Sequence, residues 1–247
     1  MIGYPCAESR HTDAGGCRRV VAVRARLLSL SLALLGSTAS AEPGAWIAVR
    51  SDDQIEVQRR HVAGSSLDEL RGVGVVDATL ANVLALLDDP EHRLEWLKDA
   101  AANVRIERPS RFDEIFYSRT AAPWPIADRD AVIAAHATFD DVAHEVRIEM
   151  RSVTHPAWPP QKGVVRMPLL EGHWLLRPEH DGARTRVEYQ VHADPGGRLP
   201  EWVANLASRK LPHDTIMGLR KQLRRRRYPV VQAQIERDPA YQAVMAR

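Results

Sequence analysis

The chemically suggestive residues of this 247-residue chain begin with Asp128, Arg129 and Asp130. On an extended strand, carboxylates at i and i+2 share a face, the minimum arrangement for a general acid beside a general base. The intervening Arg129 argues against that use, because a neighbouring cation lowers carboxylate pKa values and favours ion pairing over proton transfer. The sequence therefore predicts structural ion pairing for Asp128, Arg129 and Asp130, and no catalytic residue. Ten histidines invite a metal site. None forms a His-x-His or His-x-x-x-His pair and no Cys-x-x-Cys occurs, so a closed zinc site would need ligands gathered from distant positions. No metal and no cofactor is expected. Gly72-Val73-Gly74 lacks the third glycine and the helix start of a dinucleotide loop, and no Gly-x-Ser-x-Gly elbow is present. Tyr117, Ser118 and Tyr189 could offer polar contacts to a ligand, or equally be satisfied core residues.

The elements that must position these groups follow from periodicity. Gln54 to Gln58 alternates as a half-buried strand does. Leu80, Val83, Leu84 and Leu87 then recur at helical spacing, with Asp77 as the expected cap and Asp88-Asp89-Pro90 as the stop. Glu91 to Lys98 reads as a short second helix carrying Trp96. From residue 104 the period becomes two: 104–107, 115–117, 131–134, 146–151 and 185–192 read as strands wet on one face, which means an antiparallel sheet. After Asp194-Pro195-Gly196-Gly197 a helical pattern begins. Trp202, Val203 and Leu206 share one face, and Ile216, Leu219 and Leu223 form a second apolar patch beyond Pro212. Pro212 is expected to kink or restart the helix.

The first 41 residues have a different character. Arginines 18, 19, 24 and 26 precede an apolar run from Leu27 to Leu35, followed by the small residues Ala39-Ser40-Ala41, the pattern of an export signal cleaved near Ala41. The run is shorter than the ~20 residues that a stable transmembrane anchor needs. This leader contains both cysteines, Cys6 and Cys17, so the remaining chain cannot use disulfides and must rely on its core. It also carries five of the 34 Lys and Arg and two of the 32 Asp and Glu, so the formal +2 becomes −1 when it is removed. Residues 209–227 keep a strongly basic balance that ends in Arg224, Arg225, Arg226 and Arg227. That run suits anionic membrane head groups, or a solvated helix end complementing the helix dipole. Export excludes nucleic acid as its partner.

Two segments, Pro123-Trp-Pro-Ile-Ala-Asp-Arg-Asp130 and Asp194-Pro-Gly-Gly-Arg-Leu-Pro-Glu-Trp202, resemble the START (StAR-related lipid transfer) family. The resemblance extends from about Trp46 to Arg225, taking in Asp88-Asp89 before Trp96 and Val164-Val165-Arg166 before Trp174-Leu175-Leu176. It implies an α+β helix-grip fold, a curved antiparallel sheet around a long carboxy-terminal helix with an internal apolar cavity. The corresponding organisation is a signal peptide at 1–41, one lipid-binding domain at 42–226 and a tail at 227–247. The residues expected at the cavity or its lid are Trp96, Tyr117, Trp124, Tyr189, Trp202, Val203 and Leu206. Many family members carry a cavity arginine six positions after the motif arginine, and Ala135 stands there in this chain. The implied function is noncatalytic binding or transfer of a lipid or other hydrophobic small molecule by an exported monomer in the periplasm or exterior. Arg224 to Arg227 would touch anionic membrane transiently. A helix-grip enzyme of the polyketide cyclase type and a ligand-sensing interaction module remain as alternatives.

Overall fold

The computed structural model of the protein describes residues 44–197, 199 and 201–246, with the backbone alone over 201–209. Ten strands among these residues form one sheet. They are β1 (Ile47–Asp52), β2 (Ile55–His61), β3 (Asp68–Val76), β4 (Ala100–Glu107), β5 (Asp113–Thr120), β6 (Asp128–Asp140), β7 (Glu145–Ser152), β8 (Val164–Arg166), β9 (Leu169–Glu179) and β10 (Arg184–Asp194). Spatial order is β1-β2-β3-β10-β9-β7-β6-β5-β4, with antiparallel neighbours throughout. Only β8 runs parallel, pairing with Asp128–Asp130 at the start of β6. Alternation supplies the sheet's inner face: in β10, Thr185, Val187 and Val191 are buried while Arg186 between them is exposed.

Five helices complete the described residues: α1 (Leu80–Leu87), α2 (Arg93–Trp96), α3 (Glu201–Arg225), α4 (Pro229–Glu236) and α5 (Pro239–Met245). Thr79, not Asp77, caps α1: its hydroxyl accepts from Asn82 N at 3.3 Å. Asp77 lies outside the helix and pairs instead with Arg184 at 2.8 Å. The helix begins two residues later than the acidic cap would require, because Thr79 is the residue in extended conformation immediately before Leu80.

Helix α3 is held against the sheet by close approach. Ile216, Leu219 and Leu223 are buried in the main core with Ile55, Val57, Val187 and Leu80. An ideal Cβ on Gly72 would lie 2.7 Å from Pro212 Cβ, so the Gly72-Val73-Gly74 segment is where α3 crosses β3. The helix runs unbroken through Pro212, whose ring is seated over that glycine instead of starting a new helix. Arg220 ties α3 to the strands by donating to Val75 O at 2.9 Å and Asp53 O at 2.6 Å. Residues 229–245, expected as a tail, fold into α4 and α5 and bury Tyr241 and Val244 against the core. No helix among the described residues is long and apolar enough to cross a membrane.

Candidate functional site

Between the inner face of the sheet and helices α1, α2, α3 and α4 lies a cavity of about 780 Å³. Its walls are largely apolar: Leu84 and Leu87 from α1, Phe116 from β5, Ile133 from β6, Ile148 and Met150 from β7, and Leu170 from β9. Strand parity decides which residues reach it. On β5 the even positions Glu114, Phe116, Ser118 and Thr120 line the cavity, and on β6 the odd positions Arg129, Ile133, Ala135 and Ala137 do. Such a volume with a few polar groups on apolar walls is typical of a small-molecule site.

An aromatic group forms part of this lining. Trp174 lies edge-on to Trp96, with ring centroids 6.4 Å apart, and close against Tyr189 at 4.5 Å. Burial pushes the Tyr189 phenol up to about 12, so it remains a neutral hydroxyl at physiological pH. Trp96 Nε1 is buried with no hydrogen-bond partner, a donor left over at the cavity wall.

Two arginines mark separate parts of the cavity. Arg93, from α2, donates to Glu114 at 2.8 Å, to Leu87 O at 2.8 Å and to Asn103 Oδ1 at 3.1 Å, and its guanidinium lies 4.6 Å from the centre of the Phe116 ring. Arg105 adds a second cation to Glu114 at 3.3 Å. Ala135 faces Glu114 across the β5–β6 pair, where the carboxylate is met by Arg93 from α2 and Arg105 from β4. The second arginine, Arg129, is about nine-tenths buried and forms no ion pair with a described residue. Its Nη1 donates to Ala127 O, while its Nε is buried without a partner. Burial pulls the Arg129 pKa below the ordinary arginine value.

The ion pairing expected across Asp128, Arg129 and Asp130 takes a different form. Alternation turns the two carboxylates to the outer face. There Asp128 accepts from Ala122 N at 3.0 Å and from Arg119 at 2.8 Å, and the backbone donor first, then the guanidinium, hold its carboxyl below the usual range. Asp130, buried, pairs with Arg166 at 2.7 Å. Arg129 lies on the opposite side and belongs to the cavity, not to the ion pairs. Tyr117 shares the outer parity: it packs on Trp158 with ring centroids 5.0 Å apart, and burial followed by the Asp130 charge raises its pKa. It is therefore a wall residue facing away from the cavity, whereas its neighbour Ser118 faces in. Trp124 is also displaced from its expected place. It is 93 % exposed in the loop between β5 and β6, although Ala121, Ala122, Pro123 and Ile126 of that loop line the cavity.

Trp202, Val203 and Leu206 fall in the part of α3 whose side chains lie outside the described residues. Arg224, Arg225 and Arg227 are exposed, and Arg226 lies 3.7 Å from Glu95 on α2. Asp52, Asp53 and His213 come together with ligand atoms within 4.8 Å. Arg50 occupies Asp52 at 2.6 Å, and His213 Nδ1 lies 3.2 Å from Asp214, itself bonded to Lys98 at 2.6 Å. These groups form an ion-pair network joining α3 to β1 and to the segment after α2. Arg93, Asn103 and Glu114 were not singled out from the sequence. The parity of Glu114 with Phe116 and Ser118 was the available signal, but which parity faced inward was not.

Comparison with known proteins accords with this geometry. The START domain model matches residues 31–227. An uncharacterized protein of Pseudomonas aeruginosa is 32% identical over 201 residues, spanning 81% of this chain and 98% of its own length. The phosphatidylcholine transfer protein of Bos taurus is 25% identical over 67% of this chain and 78% of its own. Among solved structures, a STAR-related lipid transfer protein fragment from Xanthomonas axonopodis superposes with a TM-score of 0.66 at 33% identity, covering 72% of this chain and 98% of that one. With its sheet closed over α3 around an apolar cavity and its sequence matched over most of its length, this chain belongs to the START domain family.

Proposed function

We propose that this protein binds a lipid noncatalytically in the cavity beneath α3 and carries it between membranes. The observation that supports this most strongly is the cavity itself: about 780 Å³ with largely apolar walls, beneath α3. Burying an acyl chain there would contribute about 25 cal/mol for each Å² of apolar surface removed from water. The names of two matched relatives, one a phosphatidylcholine transfer protein, agree with this reading. Two carboxylates at the cavity are occupied: Glu114 by Arg93 and Arg105, and Asp214 by Lys98. Those pairings suit carriage better than acid–base chemistry.

Entry and exit would use the segment from His192 to Leu206, where Gly196 and Gly197 have φ values of +64 and +69 that side-chain-bearing residues rarely adopt. The exposed Trp124, in the adjoining cavity-lining loop, would enter the bilayer interface, where the amphipathic indole ring is favoured. The exposed arginines at the end of α3 would add attraction to anionic lipid. Export through the first 41 residues would place this activity in the periplasm or outside the cell. Native mass spectrometry of the protein from the exported fraction is expected to show a single chain lacking the leader, with one lipid bound. Leu206→Asp should fold normally and lose that lipid. An empty wild-type chain that also takes up no added lipid would refute the reading.

A further inference from the structure

Of the cavity-lining cations, Arg93, Lys98, Arg108 and Arg111 each pair with a described carboxylate, Glu114, Asp214, Asp88 and Asp238 respectively, while Lys210 is exposed to solvent. Arg129 is the buried exception. The two acids that flank it in sequence form their ion pairs on the other face of the strand, Asp128 with Arg119 and Asp130 with Arg166, so that only the charge of Asp128 still acts on Arg129, and without an ion pair between them. Thr120, its partner across the β5–β6 pair, lines the same wall. Ile126 and Met167, close by in the loop and beyond β8, add apolar surface. A guanidinium desolvated with no ion-pair partner among the described residues is unfavourable, and an anion delivered by a ligand would relieve that cost. The planar fork of N–H donors matches the oxygens of phosphate or carboxylate in particular.

Position strengthens the argument. Glu114 and Thr120 are six residues apart on β5, which places the neutralised Arg93–Glu114 pair and Arg129 roughly 20 Å from each other along one wall. Between them the wall is Phe116, Ser118 and Ile133. The cavity therefore has one charge-compensated end, a largely apolar middle and, beside the loop that carries Trp124, an end where Arg129 is buried without an ion pair among the described residues. We infer that Arg129 is an oxyanion-binding subsite that holds the phosphate or carboxylate of an otherwise apolar ligand just inside that loop. The inference rests on the cavity being a lipid site and specifies the chemical class of lipid it takes.

The test compares dioleoyl phosphatidic acid, oleate, dioleoylglycerol and inorganic phosphate as ligands of the full chain, with binding read by native mass spectrometry and by ligand-induced shifts in thermal midpoint. Wild type is expected to prefer phosphatidic acid or oleate over dioleoylglycerol by about tenfold or more, the scale of charge-assisted hydrogen bonds. Arg129→Gln should lose that preference while holding dioleoylglycerol as before, and Arg129→Lys should keep part of it. Arg129→Met, which removes the unpaired charge, should leave the ligand-free midpoint unchanged or higher. Inorganic phosphate binding that depends on Arg129, without lipid selectivity, would assign the same subsite to a free anion. A folded Arg129→Gln that retains the wild-type selectivity overturns the subsite. So does an Arg129→Met whose ligand-free midpoint falls while selectivity persists, because Arg129 would then be structural. If wild type holds neither charged nor neutral lipid, the lipid-carrying reading fails by itself, and the phosphate arm decides the subsite.

Discussion

Asp128, Arg129 and Asp130 show how strongly side-chain direction governs chemistry. Three consecutive charges in a sequence suggest neutralisation among neighbours, but on a strand the middle residue points away from the other two. Each carboxylate therefore recruits a distant arginine, and the middle arginine is left in the cavity wall. The Asp130–Arg166 pair is the most deeply placed of these contacts, with no exposure of the Asp130 side chain. Removing one partner of such a pair strands the other's charge, so Arg166→Met should destabilise the protein by about 3 kcal/mol or more. Adding Asp130→Asn should recover part of that loss, and urea denaturation of the single and double variants measures both. Equal stability of wild type and Arg166→Met would show that solvent reaches Asp130 readily.

At the scale of elements, the seat of α3 depends on what is missing from β3. Gly72 presents no side chain where Pro212 crosses, and Ile216 follows one turn later at 3.2 Å from the position a Cβ would take. Gly72→Ala is therefore expected to lift the helix and to cost about 1–3 kcal/mol, the usual penalty for overpacking. The denaturation midpoint should fall without loss of sheet signal, and, if α3 acts as the proposed lid, lipid should exchange faster. An alanine variant with an unchanged midpoint would mean that α3 rides more loosely on β3 than these distances imply. The helical periodicity of Ile216, Leu219 and Leu223 was readable from the sequence, and all three are buried in the core. The glycines opposite were read only as a poor dinucleotide loop. Their function lies in a contact across about 140 residues of chain, which no local pattern carries.

For the whole molecule, the arrangement of Trp124, the cavity-lining loop and Arg129 predicts one face for membrane contact. Trp124→Ala should slow transfer of a fluorescent lipid between vesicles several-fold while leaving occupancy unchanged, since the residue is almost fully exposed and does not line the cavity. Replacing Arg224, Arg225, Arg226 and Arg227 with Gln should weaken binding to anionic vesicles only, and the difference should fade as salt rises, because surface charge acts over roughly 8 Å at physiological ionic strength. If the Trp124 variant transfers at the wild-type rate while the arginine variant does not, contact lies at the end of α3 instead.

Local sequence determined the alternation that makes an antiparallel sheet, the apolar face of α3, the stop after α1 at Asp88-Asp89-Pro90 and the turn at Gly196-Gly197. Each depends on residues within a few positions of one another, where backbone geometry and side-chain period act directly. Tertiary structure alone decided which face of β5 and β6 became concave, and so why Ser118 and Arg129 look into the cavity while Tyr117, Asp128 and Asp130 look away. It also exposed Trp124 and folded residues 229–245 onto the core. It paired Glu114 with Arg93 and Asp130 with Arg166 across separations of 21 and 36 residues. Alternation fixes that two faces differ, but only packing against a distant helix selects the one that encloses the cavity.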